Sequence, residues 1–286
     1  MVRALLNFTP ALSKGLIAKG VAALPEVREA FENGKVVIST GSTTSHIYRE
    51  LYGKWPEGPL ACGMVTGKGL CVGSGMTDFL SAHGHAKYWY FEKGTPVQTE
   101  DLDEVLAGCT AKDVFMKGGN SLDPTGQAGV LLGMENGGTI GKAIGHVMAK
   151  GIHFVIPVGL EKMVFGSVAD DAVEMGIHRL DYCSGMPVGL MPLSGDVITE
   201  MEAVEQLARV GVFHVAAGGI SGGEGSVALL VKGEKGQVER IVDLYAFLKK
   251  ETGAAPSAGP ALCSDHKWQH CAAKNIYYAE NVKEGK

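Results

Sequence analysis

The sequence predicts an α/β fold with a mostly parallel sheet, flanking helices and one antiparallel hairpin at an edge. Two observations carry that prediction. Short apolar runs such as Val36-Val37-Ile38, Val114-Phe115-Met116 and Phe154-Val155-Ile156 alternate with stretches of helical spacing along the main body. This is the order that a parallel sheet with crossover helices requires. Each run also stops at glycine, at Gly41, Gly118-Gly119 and Gly159, where a tight turn or a close backbone approach is easiest to build.

Residues 11–33 read as a helix. Leu12, Leu16, Ile17, Val21, Leu24, Val27 and Phe31 fall roughly on one face, Pro25 marks a break or a second start, and Gly34 suits the C-terminal cap. A strand over 35–38 follows, then the loop Ser39-Thr40-Gly41-Ser42-Thr43-Thr44, then a short helix with Ile47, Leu51 and Tyr52 at helical spacing. Residues 53–75 read as loops with short strands such as Leu70-Cys71-Val72. Tyr88-Trp89-Tyr90-Phe91 reads as a buried strand, and Glu100 to Leu106 as an acidic helix.

The strand at 113–120 ends in glycines, and Asp123-Pro124-Thr125-Gly126 is a turn. A strand over 128–133, the loop Glu135-Asn136-Gly137-Gly138 and a helix to about residue 149 come next, before the apolar strand 152–158. Residues 166–177 read as a helix and 182–195 as irregular chain with Pro187 and Pro192. Thr199 starts a helix to Val210. The runs 212–217 and 226–232 form the edge hairpin, and 236–250 is an amphipathic helix. The body thus occupies 1–252. Residues 253–286 open on Gly253-Ala254-Ala255-Pro256 and read as a linker and tail.

Composition bounds the function. Hydrophobic residues make up 45% and charged residues 20% of the 286 positions, so a sizeable core is expected. The formal charge is −5 with no Lys/Arg cluster, which argues against nucleic acid as the main partner. No apolar run is long enough to span a bilayer, and six cysteines are too few for a disulfide scaffold, so a cytoplasmic protein with reduced thiols is expected.

Five groups of residues are candidates for chemistry. The loop Gly41-Ser42-Thr43-Thr44 offers backbone N–H groups and the positive end of a helix, which suits a phosphate or carboxylate. Helix capping is the structural alternative. Lys117, Gly118, Gly119 and Asn120 end the second strand, with Asp123 beyond. Asp123 suits proton transfer or, as the alternative, an Asx turn. Glu161 and Lys162 follow the third strand at a position favourable for chemistry. Asp78, His83 and His85 form a weaker acid–base or ligand group. In the tail, Cys263, His266, His270 and Cys271 supply four N/S ligands for zinc. Cys271 adjoins His270, which is awkward for closing one coordination sphere, and a tail docked by Trp268 and Tyr277-Tyr278 on its own domain or a partner subunit is the alternative. A homo-oligomer is expected.

Three of these segments, in order, resemble one superfamily. Thr40-Gly41-Ser42-Thr43-Thr44 resembles the Gly/Ser/Thr loop of ribose-5-phosphate isomerases and sugar-phosphate-responsive domains. Asp113-Val114-Phe115-Met116-Lys117-Gly118-Gly119-Asn120, with Asp123 and Gly126 after it, resembles that superfamily's strand ending in a Gly-Ala-Asp element. The strand 152–158 stands where a third superfamily strand stands. The superfamily is that of ribose-5-phosphate isomerase, glucosamine-6-phosphate deaminase and the CoA transferases. The resemblance implies a Rossmann-like open sheet and an enzyme for an anionic ligand, a sugar phosphate or related phosphate ester. Asn120 departs from the pattern where isomerases carry Asp, and no paired acid and base is evident. Residues 176–286 have no counterpart.

Glu135-Asn136-Gly137 resembles the glutamate-bearing motif of one CoA-transferase class, with Met134 in place of Ser. The resemblance implies, as an alternative, an acyl-CoA transferase or hydrolase using Glu135 on a CoA ester. A non-enzymatic ligand sensor is the third reading. The catalytic candidates are therefore Asp123, Glu135 and Glu161. No cofactor is firmly indicated; zinc at the tail is the one resident ion the sequence offers.

Overall fold

The computed structural model describes residues 1–57, 63–66, 69–72 and 88–251. The strands are β1 (Val2–Phe8), β2 (Lys35–Ile38), β3 (Gly63–Thr66), β4 (Gly69–Val72), β5 (Tyr88–Glu92), β6 (Thr95–Thr99) and β7 (Val114–Met116), followed by β8 (Ser121–Leu122), β9 (Ala128–Leu132), β10 (His153–Pro157), β11 (Gly189–Leu193), β12 (Asp196–Ile198), β13 (Gly211–Gly218) and β14 (Ser226–Gly233). The helices are α1 (Pro10–Ala23), α2 (Pro25–Asn33), α3 (Ser42–Tyr52), α4 (Leu102–Ala107), α5 (Gly138–Lys150), α6 (Val168–Glu174), α7 (Glu200–Leu207) and α8 (Lys235–Glu251).

The main sheet has six strands in the order β12-β10-β7-β2-β5-β6. β12, β10, β7 and β2 run parallel, and β5 and β6 add an antiparallel pair beside β2. The parallel strands are continuous apolar runs because both faces are covered: Val36, Ile38, Phe115, Met116, Val155 and Ile156 are all fully buried. The chain leaves β2 for β5 and β6 on one side and returns to β7 on the other.

The hairpin of β13 and β14 is not the antiparallel edge of this sheet. It forms a second, three-stranded sheet in the order β1-β14-β13. The reason is β1. Seven of its residues pair with β14, from Val2↔Gly233 to Phe8↔Val227, so β14 has a partner on each side and none left for the main sheet. The true edge is β5 with β6. It closes through a tight turn with Lys93 at φ 48° and Gly94 at φ 74°, the backbone that a two-residue hairpin of right-handed twist demands.

The stretch around Pro187 and Pro192 is not irregular throughout. It contains β11, which pairs only with β9 in a small sheet of order β11-β9-β8. Pro192 is accommodated because an edge strand needs no donor on its outer side. Pro25 does start a second helix, as the first residue of α2. Helix α1 packs against α3, α7 and α8. A Cβ on Gly20 would lie 2.5 Å from that of Ala203, so the missing side chain is what lets α1 and α7 approach so closely. Among the described residues no helix is long and apolar enough to cross a membrane.

Candidate functional site

Parallel pairing of β2, β7, β10 and β12 brings their carboxyl ends into one row. Backbone bonds carry the row past the strands: Ser39 N–H donates to the Met116 carbonyl (3.0 Å), Lys117 N–H to Val155 (3.2 Å) and Val158 N–H to Ile198 (3.0 Å). Four chain segments therefore lie side by side: 39–44, 117–120, 158–162 and 199–200.

At the first of them, Gly41 precedes α3 in extended conformation (φ 171°). The hydroxyls of this loop do not all point outward. Thr44 Oγ1 donates to the carbonyls of Ser39 (2.7 Å) and Gly41 (3.0 Å), and Ser45 Oγ donates to Gly41 (2.8 Å). Thr44 is thus a structural staple rather than a ligand hydroxyl, and Thr43 is buried. What the loop offers is backbone. The first intrahelical bond is Ser45 N–H to Gly41 (2.9 Å), so the amides of Ser42, Thr43 and Thr44 precede it.

His46, one turn into α3, donates from Nδ1 to the Ser42 carbonyl (2.9 Å) and meets Trp55 edge-on at 4.9 Å. Burial lowers its pKa from 6.5 to about 4. The unfolded chain then binds a proton before the folded one. This component of stability is complete above pH 6.5 and is lost as the pH falls to about 4, at up to about 1.4 kcal/mol per pH unit. His46→Gln is expected to flatten that acid slope in denaturant melts. An unchanged slope would show that His46 binds its proton equally in the folded and unfolded chains.

The second segment is largely structural. Asn120 N–H donates to the Gly129 carbonyl (2.7 Å), and its Oδ1 accepts from Leu131 N–H (3.0 Å), which ties it to β9. A Cβ on Gly119 would be 3.2 Å from Val158 Cγ2 and 3.4 Å from the Gly129 carbonyl, so glycine permits the close passage between β9 and β10. Lys117 and Gly118 are half-buried beside it.

Asp123 is buried and saturated. Its Oδ1 accepts from Thr125 N–H (2.9 Å), Thr125 Oγ1 (2.6 Å) and Gln127 N–H (3.1 Å), and its Oδ2 from Val168 N–H (3.0 Å). Burial pushes its carboxyl up, and these four donors more than reverse that and hold it below the usual range. It anchors a turn to α6, and its four hydrogen bonds mark a structural rather than a proton-transferring carboxylate. Glu135 lies on the surface, with Oε1 3.2 Å from His178 Nε2. A solvated carboxylate held by an exposed imidazole is a poor nucleophile for acyl transfer.

The third and fourth segments carry two glutamates and a lysine. Glu200, first residue of α7, is fully buried. Leu160 N–H donates to its Oε2 (2.8 Å), while Oε1 has no hydrogen-bond partner. Burial raises its pKa above 4.5, and the nearby Glu161 adds to the rise. Ser13, in the first turn of α1, approaches this carboxyl closely enough to oppose the shift, although its own hydroxyl stands outside hydrogen-bond geometry.

Gly159 lies between the two glutamates. A Cβ there would stand 3.3 Å from Glu200 Oε1 and 3.7 Å from Glu161 Oε1, so the bare glycine is what lets both carboxylates come close to the backbone at this point. Glu161 is also held against the β13–β14 loop, where a Cβ on Gly225 would be 3.0 Å from its Oε2. Lys162 Nζ donates to the Gly119 carbonyl (3.0 Å) and so bridges the ends of β10 and β7. Burial lowers its pKa, and the positive charge of Lys14 adds to that, against Glu161 and Glu200.

Of the sequence candidates, Gly41 to Thr44, Lys117 to Asn120 and Glu161 share this row of strand ends. Asp123 serves the turn beyond β8, and Glu135 the surface before α5. Glu200 was not anticipated. Its only sequence signal is an acidic residue just after Thr199, where Glu202 already completes a capping box. Among the described residues no three His, Cys, Asp or Glu side chains gather as metal ligands. Asp78, His83 and His85, and the tail with Cys263, His266, His270 and Cys271, lie outside the described residues. No family model, curated protein or solved structure matches this chain.

Proposed function

We propose that this protein is an isomerase-like enzyme for a small anionic ligand, a sugar phosphate or related phosphate ester. It would act on a Rossmann-like sheet of the ribose-5-phosphate isomerase, glucosamine-6-phosphate deaminase and CoA-transferase type. The observation that carries the proposal is the pair of carboxylates around Gly159. Glu200 is buried with its pKa raised, and Glu161 is half-buried beside it. The buried carboxyl of Glu200 holds its proton more readily than an ordinary carboxyl and so suits the role of acid. Proton transfer next to a carbonyl needs such an acid. The amides of Ser42 to Thr44 at the start of α3 suit the phosphate. Ligands of open parallel sheets bind outside the carboxyl ends where the strand order reverses, and here the reversal falls between β2 and β7.

The acyl-transfer alternative has less support, because Glu135 is exposed and paired with His178. Two measurements test the proposal. Titration with inorganic phosphate and with ribose 5-phosphate is expected to shift the amide resonances of 40–46, and incubation of the sugar phosphate in deuterated water is expected to incorporate deuterium next to its carbonyl. Amides that stay in place and a sugar that gains no deuterium would refute it.

A further inference from the structure

We propose that Lys162 forms an imine with its substrate, so that the ligand is a phosphorylated aldehyde or ketone that becomes covalently held during turnover. The inference rests on the proton-transfer reading above and deepens it.

The environment of Lys162 differs from that of the paired lysines. Lys19 and Lys35 each reach a carboxylate at 3.0 Å. Lys162 makes no ion pair among the described residues, and its one hydrogen bond goes to the neutral carbonyl of Gly119. An ammonium has three donors to satisfy. A neutral amine satisfies one N–H at that carbonyl and keeps a lone pair for attack. Burial favours the neutral form and outweighs the opposing charges of Glu161 and Glu200, with Lys14 acting on the side of burial; desolvation and a neighbouring cation are two devices that turn a lysine into a nucleophile.

The groups that an imine requires are beside it. Glu200 is a buried carboxyl with an unpartnered oxygen, and Glu161 approaches the same glycine, Gly159. In the step, the Lys162 nitrogen bonds to the carbonyl carbon. The carbonyl oxygen takes one proton from Glu200 and one from the attacking nitrogen, relayed through the carboxylates, and leaves as water. A C=N bond replaces the C=O bond, and Glu200 recovers its proton when the nitrogen loses its own. No oxidant or reductant takes part.

The test uses the full-length protein with dihydroxyacetone phosphate as the ketone and glyceraldehyde 3-phosphate as the aldehyde. Each is incubated near neutral pH with sodium cyanoborohydride, which reduces an imine to a stable amine, and peptides are then mapped by mass. The expected result is a reduced adduct at Lys162 with at least one of the two, formed several-fold faster than at the exposed Lys235 and lost in Lys162→Arg. Labelling of Lys162 no faster than Lys235, or none at all, overturns the proposal. Phosphate-induced amide shifts at 40–46 and deuterium incorporation are read on the same sample. If those persist without the adduct, the imine fails and the proton-transfer reading stands. If they vanish as well, both fail.

Discussion

Glu200→Gln is expected to slow deuterium incorporation into a bound sugar phosphate by about 10²–10⁴-fold while the chain stays folded. Gln keeps the shape of the side chain and an oxygen to accept the Leu160 N–H bond of 2.8 Å, but it has no proton to give. The same substitution has a signature in stability. Glu200 holds its proton to a higher pH in the folded chain than in the unfolded one, because burial raises its pKa above 4.5. Its contribution is therefore complete below pH 4.5 and declines as the pH rises through the folded value. Gln removes that decline, so the variant gains on the wild type as the pH rises. Denaturant melts across this range read the slope, and deuterium exchange reads the chemistry. Equal exchange rates in variant and wild type would take Glu200 out of the reaction.

Phe115→Ala is expected to cost about 3–5 kcal/mol, measured by urea denaturation. Phe115 is fully buried in β7, and β7 lies between β2 and β10. Its ring meets Phe154 at 5.4 Å. The truncation leaves a cavity that a parallel sheet packed on both faces cannot collapse around. The same strand leads into Lys117 to Asn120, so the phosphate-induced shifts at 40–46 should weaken in parallel. A loss below about 1 kcal/mol, the range of volume-conserving core swaps, would mean that β7 is not in the centre of the sheet.

The parallel core was legible from the sequence because the signal is local. Val36-Val37-Ile38, Phe115-Met116 and Phe154-Val155-Ile156 are apolar on both faces, and such runs have few other uses. The break at Pro25 and the cap at Thr199 were legible for the same reason, since a proline or a capping side chain acts on its own turn. Two strands that escaped notice, β1 and β11, depend on a distant partner. β1 is a strand because β14, more than two hundred residues later, pairs with it. β11 carries a proline and is a strand only because it occupies an edge.

The candidate site divides along the same line. Glycine-ended strands and the loop at 41–44 pointed to the row of carboxyl ends, and Glu161 was visible beside one of them. Their order along the chain was enough, because parallel strands with crossover helices bring successive carboxyl ends to the same side of the sheet. How each residue there is paired and buried was decided in three dimensions. Asp123 resembled an acid–base residue, but four donors hold it in a turn. Glu200 resembled an ordinary acidic helix start, but α1 packs on α7 through Gly20 and closes over it. Local sequence determines which elements form and where they end, because their hydrogen bonds lie within or beside each segment. The protonation of a side chain depends on the water removed from around it and the charges brought near it, and only tertiary packing decides those.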